Sequence, residues 1–217
     1  MPVFQPAANS PDKSAAKSAA KSGTNSAANP TLSRQACRSH LRQQRRAIAP
    51  SYAREAGERV AHYLRNSSFW SADHIALYLA NDGELDPAVI ARAARSSGKH
   101  LYLPVITAEA MAFCEWRTDE PLRPNRFGIG EPTGTPVPPR DLQLVILPTV
   151  GWTARGFRLG MGGGYYDRFF GSKQASSAKR VALAYDCQRD DALEQLKEAW
   201  DQPLDAVLTE SGILRLD

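Results

Sequence analysis

Residues 74–80 read His-Ile-Ala-Leu-Tyr-Leu-Ala, an apolar run with almost no polar break. That is the pattern of a strand covered on both faces. Comparable runs recur at 100–105, 142–148, 180–185 and 204–208, and 111–117 reads as a further strand. Between them the apolar positions step by three and four, the period of a helix. A first helix is predicted over 34–49, behind the capping residue Ser33 and closed by Pro50. It carries Cys37, Leu41 and Ile48 on one face and Arg34, Arg38, Arg42 and Arg45 on another. A second helix is predicted over 51–65. Asn81 to Leu85 form a turn, and Asp86-Pro87 start a third helix that Gly98 stops. Further helices are expected over 165–170 and 190–200, and the Pro- and Gly-rich stretch 118–141 reads as a long loop. The alternation predicts an α/β fold, three-layer, with a mostly parallel sheet and helices on both faces. Ligands of such sheets sit outside the carboxyl ends of the strands. Glu84, the segment 158–168 and Asp186 all follow strands and share that edge. Asp201 precedes a strand and reaches it only over a bent connection.

Composition changes the picture at one end. Residues 1–32 are mostly Ala, Ser, Asn, Pro and Lys, with Lys-Ser-Ala-Ala repeated from Lys13 and Lys17. With so few large apolar residues the segment cannot offset its own ordering entropy, so it reads as a disordered basic tail. The single folded domain is expected over 33–217. No apolar run approaches the length of a membrane span, and no secretory signal is visible. Cys37, Cys114 and Cys187 are far apart with no CxxC, which suits a reducing compartment, hence the cytoplasm. The four histidines show no metal-ligand spacing. A formal charge of +4 fits an enzyme of anionic substrates and a nucleic-acid binder equally. A nucleic-acid module using the tail and the arginine helix is one alternative reading. It gives the buried strands and the glycine-rich segment no role.

That segment runs Arg158-Leu159-Gly160-Met161-Gly162-Gly163-Gly164-Tyr165-Tyr166-Asp167-Arg168. Glycines let a backbone approach a ligand closely, and successive N–H groups in such a turn form an anion nest. Arginines stand at both ends, and a carboxylate suited to a divalent cation closes the run. It is neither GxGxxG, which fails at Tyr165, nor a Walker A loop, which needs Gly-Lys at 165 and 166.

The segment, preceded by Leu147-Pro148 and Gly156-Phe157, resembles the signature of the 5-formyltetrahydrofolate cyclo-ligase family. Four other stretches are similar to that family in order. They are the arginine helix from Arg34, the turn Leu79 to Asp86, the loop Phe127-Gly128-Ile129 with Glu131-Pro132, and the closing segment from Trp200 to Glu210. The resemblance covers about residue 33 to the C-terminus. It implies an ATP- and Mg²⁺-dependent ring closure of 5-formyltetrahydrofolate, or its polyglutamylated forms; separately from the resemblance, the chain is expected to be a monomer. The other alternative reading is another nucleotide-dependent enzyme on the same fold with a different acceptor. It implies that Arg34, Arg38 and the segment from Arg158 to Tyr166, Leu159 included, bind ATP, with Arg158 and Tyr165 catalytic. Leu79, Glu84, Phe127 and residues Met161 to Tyr165 would meet the folate. Asp167 and Asp201 would hold Mg²⁺, with Asp205 as the alternative to Asp201. Gly163 stands where some members have Lys, so Arg168 is expected to supply the missing phosphate contact. The chemistry needs positioning and charge neutralisation rather than a side-chain nucleophile.

Overall fold

The computed structural model describes residues 33–107, 110–172 and 177–216; the tail expected over 1–32 lies outside them. Five central strands, β11 (Ala206–Thr209), β10 (Lys179–Leu183), β7 (Leu144–Pro148), β1 (His74–Ala76) and β2 (His100–Ile106), pair in parallel in that order. Antiparallel strands flank them: β12 (Gly212–Arg215) beside β11, then β3 (Met111–Glu115) and β6 (Pro136–Val137) beyond β2.

Alternation along the central strands sends residues to two faces. Ile75, Leu101, Leu103, Leu144, Ile146 and Val181 pack with α2 (Pro50–Arg65) and α3 (Ala88–Ser96). Ala76, Tyr102, Val145, Leu147 and Ala182 pack on the other face with Phe169 and Phe170 of α4 (Tyr165–Gly171). This is the expected three-layer arrangement. A third cluster joins Cys37 and Leu41 of α1 (Arg34–Arg46) to Val150, Phe157, Leu159 and Leu193. Ser33 caps α1, its hydroxyl accepting the Ala36 N–H at 3.1 Å.

Several expectations need correction. The strand expected over 74–80 stops at Ala76, although Leu77 N–H still bonds Tyr102 O at 2.9 Å. The return bond in a parallel ladder would have to come from residue 104, and Pro104 has no N–H. Residues 77–80 therefore leave the sheet at its carboxyl edge. The helix expected over 190–200 is a single 3₁₀ stretch, Asp191–Leu196. The Leu196 carbonyl is taken by Arg34, from Nε at 3.1 Å and Nη2 at 2.7 Å, instead of by a backbone N–H further on. The chain then extends and carries Trp200 and Asp201 toward the sheet edge. Strand β7 does not feed the glycine segment directly. A small hairpin, β8 (Gly151–Trp152) with β9 (Arg158–Leu159), intervenes. The loop 118–141 contains a two-strand ladder, β4 (Arg123–Pro124) with β5 (Gly130–Glu131), as well as β6. Strand β12 had not been predicted; Glu210-Ser211 form the two-residue turn that returns it along β11.

Gly151 is where α1 meets the hairpin. A Cβ there would lie 2.5 Å from Leu41 Cδ1 and 2.7 Å from Leu193 Cδ1. Both are buried, so they have little room to yield. Gly151→Ala is expected to cost about 1–3 kcal/mol by overpacking, roughly 2–12 °C in melting temperature. A thermal melt checks it, and an unchanged midpoint would mean that the third cluster is loose.

Candidate active site

The winding of the sheet reverses between β1 and β7. From β1 the chain builds outward through β2, and from β7 through β10 and β11. A crevice opens at the carboxyl ends there. It holds a cavity of about 470 Å³.

Two walls belong to the strand ends. Leu79 and Glu84 come from the chain leaving β1, and Pro148 and Thr149 from the end of β7. Glu84 accepts the Asn81 N–H at 3.1 Å and lies 3.7 Å from Arg45 Nη1. Burial pushes its carboxyl above the ordinary glutamate value, and the Arg45 charge opposes that rise.

Helix α1 supplies a third wall. Arg38 Nε donates to Gly160 O at 2.8 Å, which ties the helix to the glycine segment. Arg34 Nη1 donates to Asp201 Oδ1 at 3.3 Å. Burial, and then the charge of Arg34, push the Arg38 guanidinium down from its ordinary value, while Asp201 opposes this. An anion between the two cations would relieve that strain. The other arginines of this helix are turned to the chain itself: Arg42, Arg45 and Arg46 all pair with Asp82.

The glycine segment forms the fourth wall. Gly162 has φ +99° and Gly164 φ +64°, which L side chains rarely adopt. Arg158 is buried, with Nη1 donating to Pro148 O and Nη2 to Asp167 Oδ1, both at 3.3 Å. Burial pushes the Tyr166 phenol well above its ordinary value. Arg126 donates to the Tyr165 hydroxyl, linking the middle loop to the glycine segment across the cavity mouth. That loop is held by Asn125, whose Oδ1 accepts from Phe127 and Ile129 N–H at 2.8 and 3.1 Å. Asn125 Nδ2 also donates to Glu131 Oε1, which accepts from Ile106 N–H.

Of the residues expected in a site, Arg34, Arg38, Leu79, Glu84, Phe127, Arg158, Gly160, Met161, Gly162, Gly163, Gly164, Tyr165, Tyr166, Asp167 and Asp201 line this one cavity. Leu159 does not; its side chain is fully buried in the third cluster, because β9 alternates and Arg158 takes the facing position. Asp186 follows a strand but its carboxylate accepts from Ser211 and stays outside the lining. Arg168 stacks its guanidinium 5.0 Å from the Tyr165 ring, beside the cavity and not in it. Asp205 pairs with Lys179 and Arg180 at the opposite edge of the sheet, which removes it as the alternative to Asp201.

Sequence reasoning gave Trp200 no role. It is 63% exposed, and with Phe127 and Met161 it makes three of the five large exposed apolar residues among the described ones, all three in this lining. Such clustering of exposed apolar surface marks a binding site. Its place next to Asp201, at the start of the closing stretch that resembles the family, was the available signal. Asn125 was likewise missed, though an Asn three residues before a Gly is a common turn signature.

Asp167 and Asp201 give the cavity two hard oxygen groups, the donors Mg²⁺ takes together with substrate phosphates. Among the described residues no three His, Cys, Asp or Glu are grouped to hold a metal by themselves. Asp167 is paired with Arg158 and Asp201 with Arg34, so the two carboxylates could hold such an ion only together with further oxygens from a ligand such as phosphate. No described helix is long and apolar enough to cross a membrane.

The model of the 5-formyltetrahydrofolate cyclo-ligase family matches residues 30–210. The 5-formyltetrahydrofolate cyclo-ligase of Haemophilus influenzae is 34% identical over 185 residues, which span 82% of this chain and 98% of that one. That of Escherichia coli K12 is 35% identical over 180 residues, spanning 80% and 98%. Among solved structures, the 5,10-methenyltetrahydrofolate synthetase of Aquifex aeolicus superposes with a TM-score of 0.75 at 29% identity, covering 85% of this chain and 93% of that one. Fold, cavity and likeness agree, and the chain belongs to the 5-formyltetrahydrofolate cyclo-ligase family.

Proposed function

We propose that the chain converts 5-formyltetrahydrofolate to 5,10-methenyltetrahydrofolate, with cleavage of Mg-ATP to ADP and phosphate, in the cavity between β1 and β7. The observation that carries this reading is the convergence there of two unlike walls. One is cationic and glycine-rich, with Arg34, Arg38 and Arg158; the other is apolar, with Leu79, Phe127 and Ile129 beside the half-buried Glu84. A triphosphate suits the first and a pterin the second.

A formamide carbonyl is a poor electrophile. Transfer of the γ-phosphoryl group to the formyl oxygen makes that oxygen a leaving group. N10 then adds to the activated carbon, its proton is lost, and phosphate departs to leave the methenyl bridge. Arg34 and Arg38 would hold the phosphates, and the glycine N–H groups would line their path. Arg158, fixed by Pro148 O and Asp167, would stabilise charge on the group in transit. Tyr165, anchored by Arg126, would flank the meeting point of donor and acceptor. Glu84 would accept hydrogen bonds from the pterin, and Phe127 would stack on it. Asp167 and Asp201 would hold Mg²⁺, which would supply neutralisation of phosphate charge.

The test is direct. Purified protein with Mg-ATP and 5-formyltetrahydrofolate should raise the methenyl absorbance, and omission of ATP should abolish the rise. Folded protein that gives no rise overturns the reading. Glu84→Gln then separates the walls. Loss of a hydrogen bond to a charged group costs about 1.5–3 kcal/mol, so KM for the formyl substrate should rise roughly ten- to hundredfold. KM for ATP should stay within about twofold. An unchanged folate KM would assign the pterin to another wall.

A further inference from the structure

We propose that Arg45 and Asp82 form a clamp through which α1 holds Glu84 in place and supplies the positive charge that faces it. The inference rests on the proposed folate role of Glu84 for its consequence in catalysis, but not for the clamp itself.

Arg45 is an unusual residue for a helix so rich in arginine: its side chain has no accessible surface. Every one of its nitrogens has a protein partner. Nε donates to Asp82 O at 3.0 Å, Nη1 to Thr149 O at 3.1 Å, and Nη2 to Asp82 Oδ2 at 2.9 Å. It therefore ties the turn after β1 to the end of β7, the two strands that flank the cavity, without itself lining the cavity. A buried guanidinium is costly unless paired in this way.

Asp82 is the other half. It is the one non-glycine residue with positive φ, +54°, among the described residues. Three guanidinium groups of one helix close on its carboxylate: Arg42 Nε at 2.7 Å, Arg45 Nη2 at 2.9 Å, and Arg46. Gly83 follows with φ +75°, and a Cβ there would meet Arg45 O and Arg46 Cα at 3.4 Å. The turn is thus seated on the C-terminal end of α1. Glu84 closes it, its N–H donating to Asn81 O at 3.0 Å and its carboxylate accepting from Asn81 N–H. The groups facing Glu84 are Arg45 and Arg42 from α1, Asp82 within the turn, and the phenols of Tyr78 and Tyr166. Arg45 is the nearest cation.

Arg45 and Asp82 are positioning residues, and their charges act on Glu84 with opposite signs. Removing the cation makes the carboxylate less favourable and raises its titration midpoint. Removing the Asp82 charge lowers it. A merely structural clamp predicts no such divergence. The experiment is a ¹³C-carboxyl NMR titration of Glu84 in the wild-type chain, Arg45→Met and Asp82→Asn, with KM measured for both substrates. Arg45→Met should move the midpoint up by about one pH unit, and Asp82→Asn should move it down. Both should raise KM for 5-formyltetrahydrofolate about tenfold by misplacing the carboxylate. Midpoints that stay put, or that move in the same direction, overturn the clamp. If Arg45→Met does not fold, Asp82→Asn decides alone, and an unmoved midpoint is then the negative result. A wild-type chain without turnover would sink the proposed reaction and leave the titration to judge the clamp.

Discussion

Arg158→Lys is expected to lower kcat by about 10²–10³-fold, with much smaller changes in both KM values and a thermal midpoint lowered by roughly 2–12 °C for the buried hydrogen bond it loses. The expectation comes from how this guanidinium is held. It is buried, one hand on the carbonyl that ends β7 and the other on the Asp167 carboxylate. Its Cζ lies 5.5 Å from the Tyr166 ring centre, and a Cβ on Gly160 would strike its Nη1 at 2.8 Å. Gly160 is therefore glycine in part to leave room for the arginine. A lysine keeps the charge but is a point donor, and it cannot span Pro148 O and Asp167 together. If Arg158 meets charge that develops only during phosphoryl transfer, the loss falls on kcat. A variant with wild-type kcat would mean that the arginine is a brace for α4 and that charge is met elsewhere. Arg158→Ala is the poorer probe, because it leaves Asp167 without its cation and confuses stability with catalysis.

The sequence made the sheet and the site edge legible for a simple reason. The central strands are buried on both faces, so their apolar runs are nearly unbroken, and the turns after them carry the polar residues. Ile75, Val145 and Val181 advertise themselves in this way. What stayed hidden was set by partners distant in the chain. The helix expected over 190–200 gives way because Arg34, more than 160 positions earlier, takes the Leu196 carbonyl. No local pattern around residue 196 records that. Leu159 is a subtler case. It sits inside the glycine-rich signature, yet strand alternation in β9 sends it into the third cluster while Arg158 faces the cavity. A motif read as a unit loses that distinction, and a period of two restores it. The spacing puts Arg34, Arg38, Arg42 and Arg45 on one like-charged face of α1. Much of the counter-charge is internal, from Asp82 and Asp201, and only the N-terminal pair Arg34 and Arg38 reaches the cavity.

Gly162→Ala should weaken nucleotide binding, raising KM for ATP by roughly ten- to a hundredfold. At φ +99° an alanine is strained, on the order of 1–3 kcal/mol. Its Cβ would also lie 3.3 Å from Arg38 Cζ. That contact is decisive. Arg38 is anchored by its own Nε to Gly160 O, two residues away in the same turn. The strained residue can relax only by pushing on the guanidinium or by rotating the peptide groups that would face the phosphates. Either motion damages the anionic wall. The three atoms nearest that Cβ all belong to Arg38 and none to the apolar wall of Leu79, Phe127 and Ile129, so KM for the folate should move little. Gly134→Ala serves as the control. It lies in the middle loop with nothing within 4 Å of an added Cβ and no positive φ, and it should behave as wild type. The comparison isolates the conformation of one turn from glycine content as such. If Gly162→Ala and Gly134→Ala bind ATP equally well, the turn is only a connection between β9 and α4, and the phosphates must be held by the arginines without it.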